Sequence, residues 1–186
     1  MPRQARAEHV AGLFHVYARG NRKQDIFVDD RDRRRYLALL VGVIGRTGWL
    51  CLSYVLMGNH IHLLVETREP NLGAGMHRLQ GMYAQYFNRR HGFSGHLFQS
   101  RYDAVPIVSD PQLWTAAAYI ARNPVSAGLC RKATDWAWSS HADVVLRCAP
   151  DWLAVDRLLS YFATDGGRGL ERYKALVELP PTPRLS

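Results

Sequence analysis

The sequence predicts an α+β fold, and the order of its hydrophobic patterns is the main observation behind this prediction. Segments with apolar residues at every second position alternate with longer segments at helical spacing, in the order strand, helix, two strands, helix, strand. Two apolar runs joined by Met57-Gly58-Asn59 predict an antiparallel hairpin at the centre. This order is that of a ferredoxin-like split βαβ unit with an antiparallel sheet.

The first half of the unit contains one strand, one helix and the hairpin. A strand is predicted over residues 12–19, because apolar and polar side chains alternate there. Asp29 and Asp30 are N-cap candidates for a helix over residues 31–46, which Thr47-Gly48 ends. The hairpin strands follow at residues 49–56 and 60–66.

The second half adds a helix over residues 72–90 and a fourth strand near residues 97–107. A third helix is predicted from Asp110 to about Arg122. Pro124 is expected to stop it, because proline lacks an N–H and disfavours helical backbone in the residue before it.

The unit is expected to close near residue 130, which divides the chain into a main domain at residues 1–130 and a C-terminal helical appendage and tail at residues 131–186. The main domain then carries the third helix in addition to the split βαβ unit. The appendage contains a Trp-rich segment at residues 135–141, an amphipathic stretch at 152–162, a break at Gly166-Gly167, a short helix at 169–177 and a proline-rich tail.

The charge of the chain is unevenly distributed. The net charge is +8 over 186 residues, with fifteen cations and seven acids in residues 1–101 and nine of each in residues 102–186. Such an asymmetry indicates a polyanionic partner, either nucleic acid or an anionic membrane surface. Of the 24 cations, 21 are arginines, which favours forked contacts to phosphate.

Several classes of protein are excluded. No apolar run approaches the roughly 18 residues of a membrane helix, and the first residues lack the apolar core of a secretory signal, so we expect a cytoplasmic protein without membrane contact. Cys51, Cys130 and Cys148 are far apart and include no CxxC pair, which makes reduced structural thiols the simplest interpretation.

His60 and His62 form the most specific local pattern. Residues i and i+2 of a strand point to the same face, so both imidazoles project together while Ile61 faces the core. Two nitrogen donors at this spacing can bind one divalent cation. The alternative is that both histidines merely cover the sheet.

Tyr119 and Asn123 form a second pattern on the third helix. At i and i+4 a phenol and an amide lie on one helix face, about one turn apart. The alanines at 116–118 are expected to leave the preceding surface low enough for a bulky ligand. The alternative is that Tyr119, one of nine tyrosines, belongs to the core.

Together these residues predict a phosphoryl-transfer site. A free tyrosine is only about one part in a thousand ionised at neutral pH, so a tyrosine nucleophile needs a nearby cation to stabilise charge on the phosphate and the attacking oxygen. Imidazole donors favour Mn²⁺ and oxygen donors favour Mg²⁺, which leaves both ions open.

The sequence also resembles a known family. GNHIHLLVE is similar to the HUH motif (His, hydrophobic, His), and AAYIARNPVSAGL is similar to the tyrosine helix of the single-tyrosine transposases of insertion sequences and their REP-associated relatives. FHVYARGNRKQDIF and YAQYFNRRHGFSGHLFQSRY fit the same family, so the resemblance covers roughly residues 8–140.

This resemblance implies an HUH endonuclease that cuts and rejoins single-stranded DNA beside a hairpin, such as a REP-like palindrome or an insertion-sequence end. It implies that His60 and His62 bind the metal, that Tyr119 is the nucleophile, and that Asn123 is the third metal-binding side chain, a position at which many insertion-sequence members have glutamine. It further implies a 5′-phosphotyrosyl bond, a free 3′-hydroxyl and no nucleotide cofactor.

The resemblance leaves the oligomeric state open between monomer and homodimer. Insertion-sequence members resemble dimers with the tyrosine helix supplied in trans, whereas the REP-associated branch is expected to be monomeric. The appendage, with Trp136, Trp138 and Trp152, is a candidate cover for the surface that a partner subunit would use.

Arg89, Arg90 and Arg101 are the candidate DNA-binding residues. They bracket a glycine-rich loop with few acids nearby, and the aromatic residues among them suit phosphate contact combined with base stacking on a single strand. The histidines that flank this loop, His91 and His96, are interpreted as solvated.

Two other functions compete with this one. A ferredoxin-like sheet with aromatic and basic residues is also typical of non-catalytic RNA-recognition modules, although their aromatic signature is not evident here. A histidine-triad phosphohydrolase or nucleotidyl transferase would need a third alternating histidine, and Leu64 occupies that position.

Overall fold

The computed structural model describes residues 10–163 and 167–178, which form four strands and six α-helices. The strands are β1 Gly12–Arg19, β2 Leu50–Leu56, β3 His60–Thr67 and β4 Asp103–Ile107. The helices are α1 Asp30–Thr47, α2 Leu72–His91, α3 Asp110–Ser126, α4 Ser140–Leu146, α5 Val155–Ser160 and α6 Gly169–Glu178.

The four strands form one antiparallel sheet in the order β2-β3-β1-β4. β1 lies inside the sheet, paired with β3 on one side and with β4 on the other. This topology confirms the predicted ferredoxin-like α+β fold.

Strand alternation gives the sheet two chemically different faces. On one face Phe14, Val16 and Ala18 of β1 lie opposite apolar residues of β3, among them Ile61 and Leu63, and all of these side chains are buried in the core. Burial of such side chains is the main stabilising contribution to the fold. The other face of β1 and β3 carries histidine, tyrosine and arginine side chains.

Two predicted boundaries are wrong. The fourth strand begins at Asp103 rather than near residue 97, because the preceding segment only touches the sheet through an isolated bridge between Gly20 and Phe98. α3 continues through Pro124 to Ser126. A proline in the last turn removes a single backbone donor, and the helix still closes with a hydrogen bond from Ala127 N to Asn123 O.

A buried ion pair joins the start of α1 to the end of α2. The side chain of Asp32 is fully buried and accepts hydrogen bonds from Val28 N, Arg90 and His91. Burial alone would raise the pKa of Asp32, but these donors outweigh it and hold the pKa below its usual value. The interpretation of His91 as a solvated loop residue is therefore wrong.

Described residues beyond 131 pack against the outer edge of the sheet and against α3. Leu56 N of β2 donates to Trp138 O, and Ser140 Oγ contacts Ser53 Oγ at 3.0 Å. Arg122 of α3 donates to backbone carbonyls near the end of α6. The proline-rich tail, Gly166 of the glycine break and the first nine residues lie outside the described residues.

Within the described ranges, no helix has both the length and the apolar character needed to cross a membrane.

The approach of α2 to Trp49 gives a test of the packing. A Cβ at Gly75 would lie 2.1 Å from Cζ2 of the buried Trp49 ring, which is fixed by a 2.7 Å hydrogen bond from Nε1 to Asn71 Oδ1. Gly75→Ala is therefore expected to lower the free energy of unfolding by about 1–3 kcal/mol in urea denaturation.

Gly81→Ala is the matched control on the same helix. Apart from its chain neighbours and the backbone of α2, no described atom lies within 4 Å of a Cβ there, so the substitution should raise stability by about 0.5–1 kcal/mol through helix propensity. Equal effects of the two substitutions would contradict this packing.

Candidate active site

His60 and His62 lie on β3 and point to the same face of the sheet, as their spacing predicts. Their ring centroids are 5.3 Å apart and the rings are nearly perpendicular, at 87°. His62 is only 3% exposed, whereas His60 is half-buried near the start of the strand. The two rings are therefore enclosed by neighbouring residues rather than spread over an open sheet.

β1 brings three more polar side chains to this face. The register pairs Tyr17 with His62 and Arg19 with His60. The Tyr17 ring lies 4.9 Å from that of His62, and His15 Nε2 lies 3.0 Å from His62 Nδ1. Pairing across an antiparallel ladder places these residues on one surface although they are far apart in sequence.

α3 lies over the same face and supplies Tyr119 and Asn123. The Tyr119 ring is 5.2 Å from the His62 ring at 89°, and the side chain is 48% exposed. The expectation that the alanines at 116–118 leave an open surface is wrong, because all three are buried. Their small side chains instead allow α3 to lie close to the sheet.

The hydrogen bonds of the two histidines follow one pattern. His60 Nδ1 lies 2.7 Å from Asn59 Oδ1, and its Nε2 lies 3.1 Å from Asn123 Oδ1. His62 Nδ1 contacts His15, and His62 Nε2 is buried without a hydrogen-bond partner among the described residues. Each imidazole therefore has a neighbour in contact with its Nδ1. The Nε2 of His60 faces the amide oxygen of Asn123, and the Nε2 of His62 has no partner among the described residues.

The site favours neutral imidazoles. Burial, followed by the charges of His15, His60 and Arg19, lowers the pKa of His62 to about 2. Burial also lowers the pKa of His60, although the contact with Asn123 acts in the opposite direction. Neutral imidazoles are the form that binds a metal ion.

The donor atoms of this site fit a divalent cation. The unpartnered Nε2 of His62, the Nε2 of His60 and the Oδ1 of Asn123 supply two imidazole nitrogens and one amide oxygen. In the part of the chain that the structure describes, no three His, Cys, Asp or Glu side chains are grouped to hold a metal. The amide of Asn123 is therefore needed to complete this set.

These side chains line a pocket of about 890 Å³ between α3 and the sheet. Arg19 and Asp103 line it on the sheet side, and Arg122 and Leu176 line it on the helical side. A smaller adjoining pocket shares Tyr17, Arg19 and Asp103 and is also lined by Arg101. The exposed Tyr119 is thus open to a ligand that extends toward Arg101.

The three candidate DNA-binding arginines have different environments. Arg101 is exposed beside the pocket, and Arg89 is exposed near the end of α2. The guanidinium of Arg90 is bound by Asp29 and Asp32, so it is part of the ion pair that joins α1 and α2. Only Arg89 and Arg101 of the three are free of a described ion pair.

Four residues of the site were not identified from the sequence: His15, Tyr17, Arg19 and Asn59. The first three stand at alternate positions of β1, and the predicted fold places β1 beside β3. The alternation along β1 and its pairing with β3 were together sufficient to expect these three residues on the face of the sheet that carries His60 and His62. Asn59 lies in the hairpin turn, and the sequence contains no signal for its contact with His60.

Comparison with known proteins gives a match to a family model and matches to solved structures. Residues 10–123 match the model of the protein family described as "Transposase IS200 like". No curated protein matches.

Among solved structures, a REP-associated tyrosine transposase bound to a REP hairpin is similar at 18% identity with a TM-score of 0.66, over 81% of this chain and 89% of that chain. A putative transposase from Deinococcus radiodurans R1 matches at 14% identity with a TM-score of 0.44, over 60% of this chain and 90% of that chain.

Proposed function

The chain belongs to the IS200-like transposase family, and from this premise we propose that it cuts and rejoins single-stranded DNA beside a hairpin through a 5′-phosphotyrosine intermediate. The observation that carries the proposal is the convergence of His60 and His62 from β3 with Tyr119 and Asn123 from α3 in one pocket. A non-catalytic binding module has no need of this convergence.

Tyr119 is the proposed nucleophile. Its oxygen attacks the phosphorus of a phosphodiester, a bond from phosphorus to the tyrosine oxygen forms, and the bond to the 3′-oxygen of the upstream nucleotide breaks. The phenol loses one proton and the departing 3′-oxygen takes up one, so the step is balanced. Attack by a 3′-hydroxyl on the phosphotyrosine reverses these events and joins two strands without a nucleotide cofactor.

His60, His62 and Asn123 would hold the divalent cation, Mn²⁺ or Mg²⁺. When bound, such an ion stabilises negative charge on the phosphate and on the attacking oxygen. The chain itself contributes the orientation of Tyr119, because α3 is fixed close to the sheet by its buried alanines. Fixed geometry of this kind lowers the entropic cost of bringing nucleophile and phosphate together.

The DNA is proposed to cross the sheet between the pocket and the loop that precedes β4. Arg101 lines the smaller pocket that adjoins the main one, Arg89 lies near the other end of the loop, and Phe93, between them in sequence, is 60% exposed. Cations and an exposed aromatic ring suit phosphate contact and base stacking on a single strand. A hairpin substrate is proposed from the similar structure, which is described with a REP hairpin bound.

In this proposal residues 1–130 carry the chemistry and residues 131–186 support it. One contact in favour of this division is made by Arg122 of α3, whose guanidinium donates to the carbonyls of Leu176 and Val177. Leu176 also lines the pocket. The appendage therefore helps to hold the helix that bears Tyr119.

A labelled oligonucleotide tests both the nucleophile and the polarity of the bond. With Mn²⁺ and a hairpin-bearing single strand, a label at the 3′ end should migrate with the protein on a denaturing gel, and a label at the 5′ end should mark a fragment with an extendable 3′-hydroxyl. Tyr119→Phe should form no adduct, because the attacking oxygen is absent.

Tyr17→Phe is the matched control, since Tyr17 lines the same pocket, and it should still form the adduct. His60→Ala should abolish metal-dependent cleavage and retain salt-sensitive DNA binding. An adduct that persists in Tyr119→Phe would exclude Tyr119 as the nucleophile, and equal loss of cleavage and binding in His60→Ala would indicate a structural histidine.

The arginines are tested by the salt dependence of hairpin binding. Arg101→Ala should weaken binding and reduce the slope of log K against log salt by about 0.7–0.9, the contribution of one phosphate contact. Arg46→Ala, which removes an exposed cation from the last turn of α1, should leave the slope unchanged. A slope unaffected by Arg101→Ala would remove this residue from the DNA path.

A further inference from the structure

Each metal-binding histidine of the proposed site has a neighbour that contacts its Nδ1 atom. Asn59 Oδ1 lies 2.7 Å from Nδ1 of His60, and His15 Nε2 lies 3.0 Å from Nδ1 of His62. A neutral imidazole has a proton on only one nitrogen, so a partner that takes the Nδ1 proton leaves a lone pair on Nε2.

Asn59 is held in one orientation by the backbone. Its side-chain Nδ2 donates to Lys23 O at 3.0 Å, and its backbone carbonyl oxygen accepts from Gly20 N at 2.8 Å. Arg22 and Lys23 adopt positive φ values of 52° and 62° in this turn. A Cβ at Gly20 would lie 2.1 Å from Gln24 O, so only glycine fits the tight turn that presents Lys23 O.

This orientation determines the tautomer of His60. A carbonyl oxygen cannot donate, so the NH₂ group of Asn59 must face Lys23 O, and Asn59 Oδ1 must face His60. Oδ1 can only accept, so a neutral His60 carries its proton on Nδ1. Its Nε2 and Asn123 Oδ1, 3.1 Å apart, then both offer lone pairs, which a shared cation satisfies. The opposite tautomer would place two acceptor atoms 2.7 Å apart.

His62 has two possible arrangements with His15. If His15 donates to Nδ1, the proton of His62 lies on Nε2, where a buried N–H has no acceptor among the described residues. A buried nitrogen without a partner is disfavoured in either tautomer, but a bound cation can satisfy a lone pair on Nε2 and cannot satisfy an N–H there. If His62 Nδ1 donates to His15 instead, Nε2 has a lone pair beside those of His60 and Asn123.

We propose that Asn59 and His15 are positioning residues that accept the Nδ1 protons of His60 and His62 and so direct both Nε2 lone pairs to one divalent cation. The inference deepens the proposed function, because it rests on the metal site named there. Partners of this kind fix ring orientation and increase the basicity of the ligands.

The tautomers are measured directly by long-range ¹H–¹⁵N NMR of the metal-free protein near pH 7.5. His60 and His62 should both show a protonated Nδ1 and an unprotonated Nε2. In Asn59→Ala the His60 signal, and in His15→Phe the His62 signal, should shift toward the Nε2-protonated form. A wild-type spectrum with protonated Nε2 on either histidine would overturn the inference for that residue.

Calorimetric titration with Mn²⁺ measures the consequence. Asn59→Ala and His15→Phe should each weaken Mn²⁺ binding about 10–100-fold. His15→Gln keeps an oxygen that accepts from Nδ1 and should stay within about threefold of the wild type. His77→Phe, at an exposed histidine of α2, is the control for loss of an imidazole elsewhere.

The two experiments separate this inference from the proposed function. A wild type that binds no Mn²⁺ contradicts the proposed metal site, and the NMR result still decides the tautomers. A wild type that binds Mn²⁺ while Asn59→Ala and His15→Phe bind it equally well overturns the positioning role. A comparable loss in His15→Gln and His15→Phe would show that packing, rather than acceptance of the proton, is what His15 provides.

Discussion

The register between β1 and β3 is the constraint on which the rest of the site depends. It places Phe14, Val16 and Ala18 opposite apolar residues of β3 in the core, and it places Tyr17 opposite His62 on the other face. If the pairing of β1 with β3 shifted by one residue, the side chains of β1 would exchange faces, so the polar ones would be buried and the apolar ones exposed. The hydrophobic core and the arrangement of the site are therefore fixed by the same pairing.

The helix above this face encloses the surface as a pocket. α3 lies close because its alanines are buried, and it is anchored at Arg122 by the end of α6. The pocket is bounded by two rigid elements, with the histidines on a strand and Tyr119 on a helix. Burial keeps the pKa of His62 low, so the ring stays neutral and a cation bound as proposed would not have to displace a proton from it.

The sequence predicted the features that arise from local periodicity. The strand alternation of GLFHVYAR, the spacing of His60 and His62, and the i, i+4 relation of Tyr119 to Asn123 all depend on one element at a time. What was missed depends on the meeting of distant segments. Arg90 is bound by Asp29 and Asp32 through tertiary contacts, Asn59 is fixed by a carbonyl of another turn, and Pro124 is tolerated because only the last turn of α3 remains beyond it.

The most direct test of this account is anomalous diffraction from crystals of the protein grown with Mn²⁺. The account predicts one manganese peak bonded to Nε2 of His60, Nε2 of His62 and Oδ1 of Asn123, with the Tyr119 hydroxyl facing the same pocket. A manganese ion bound through Nδ1 of either histidine, or bound only away from this pocket, would contradict it.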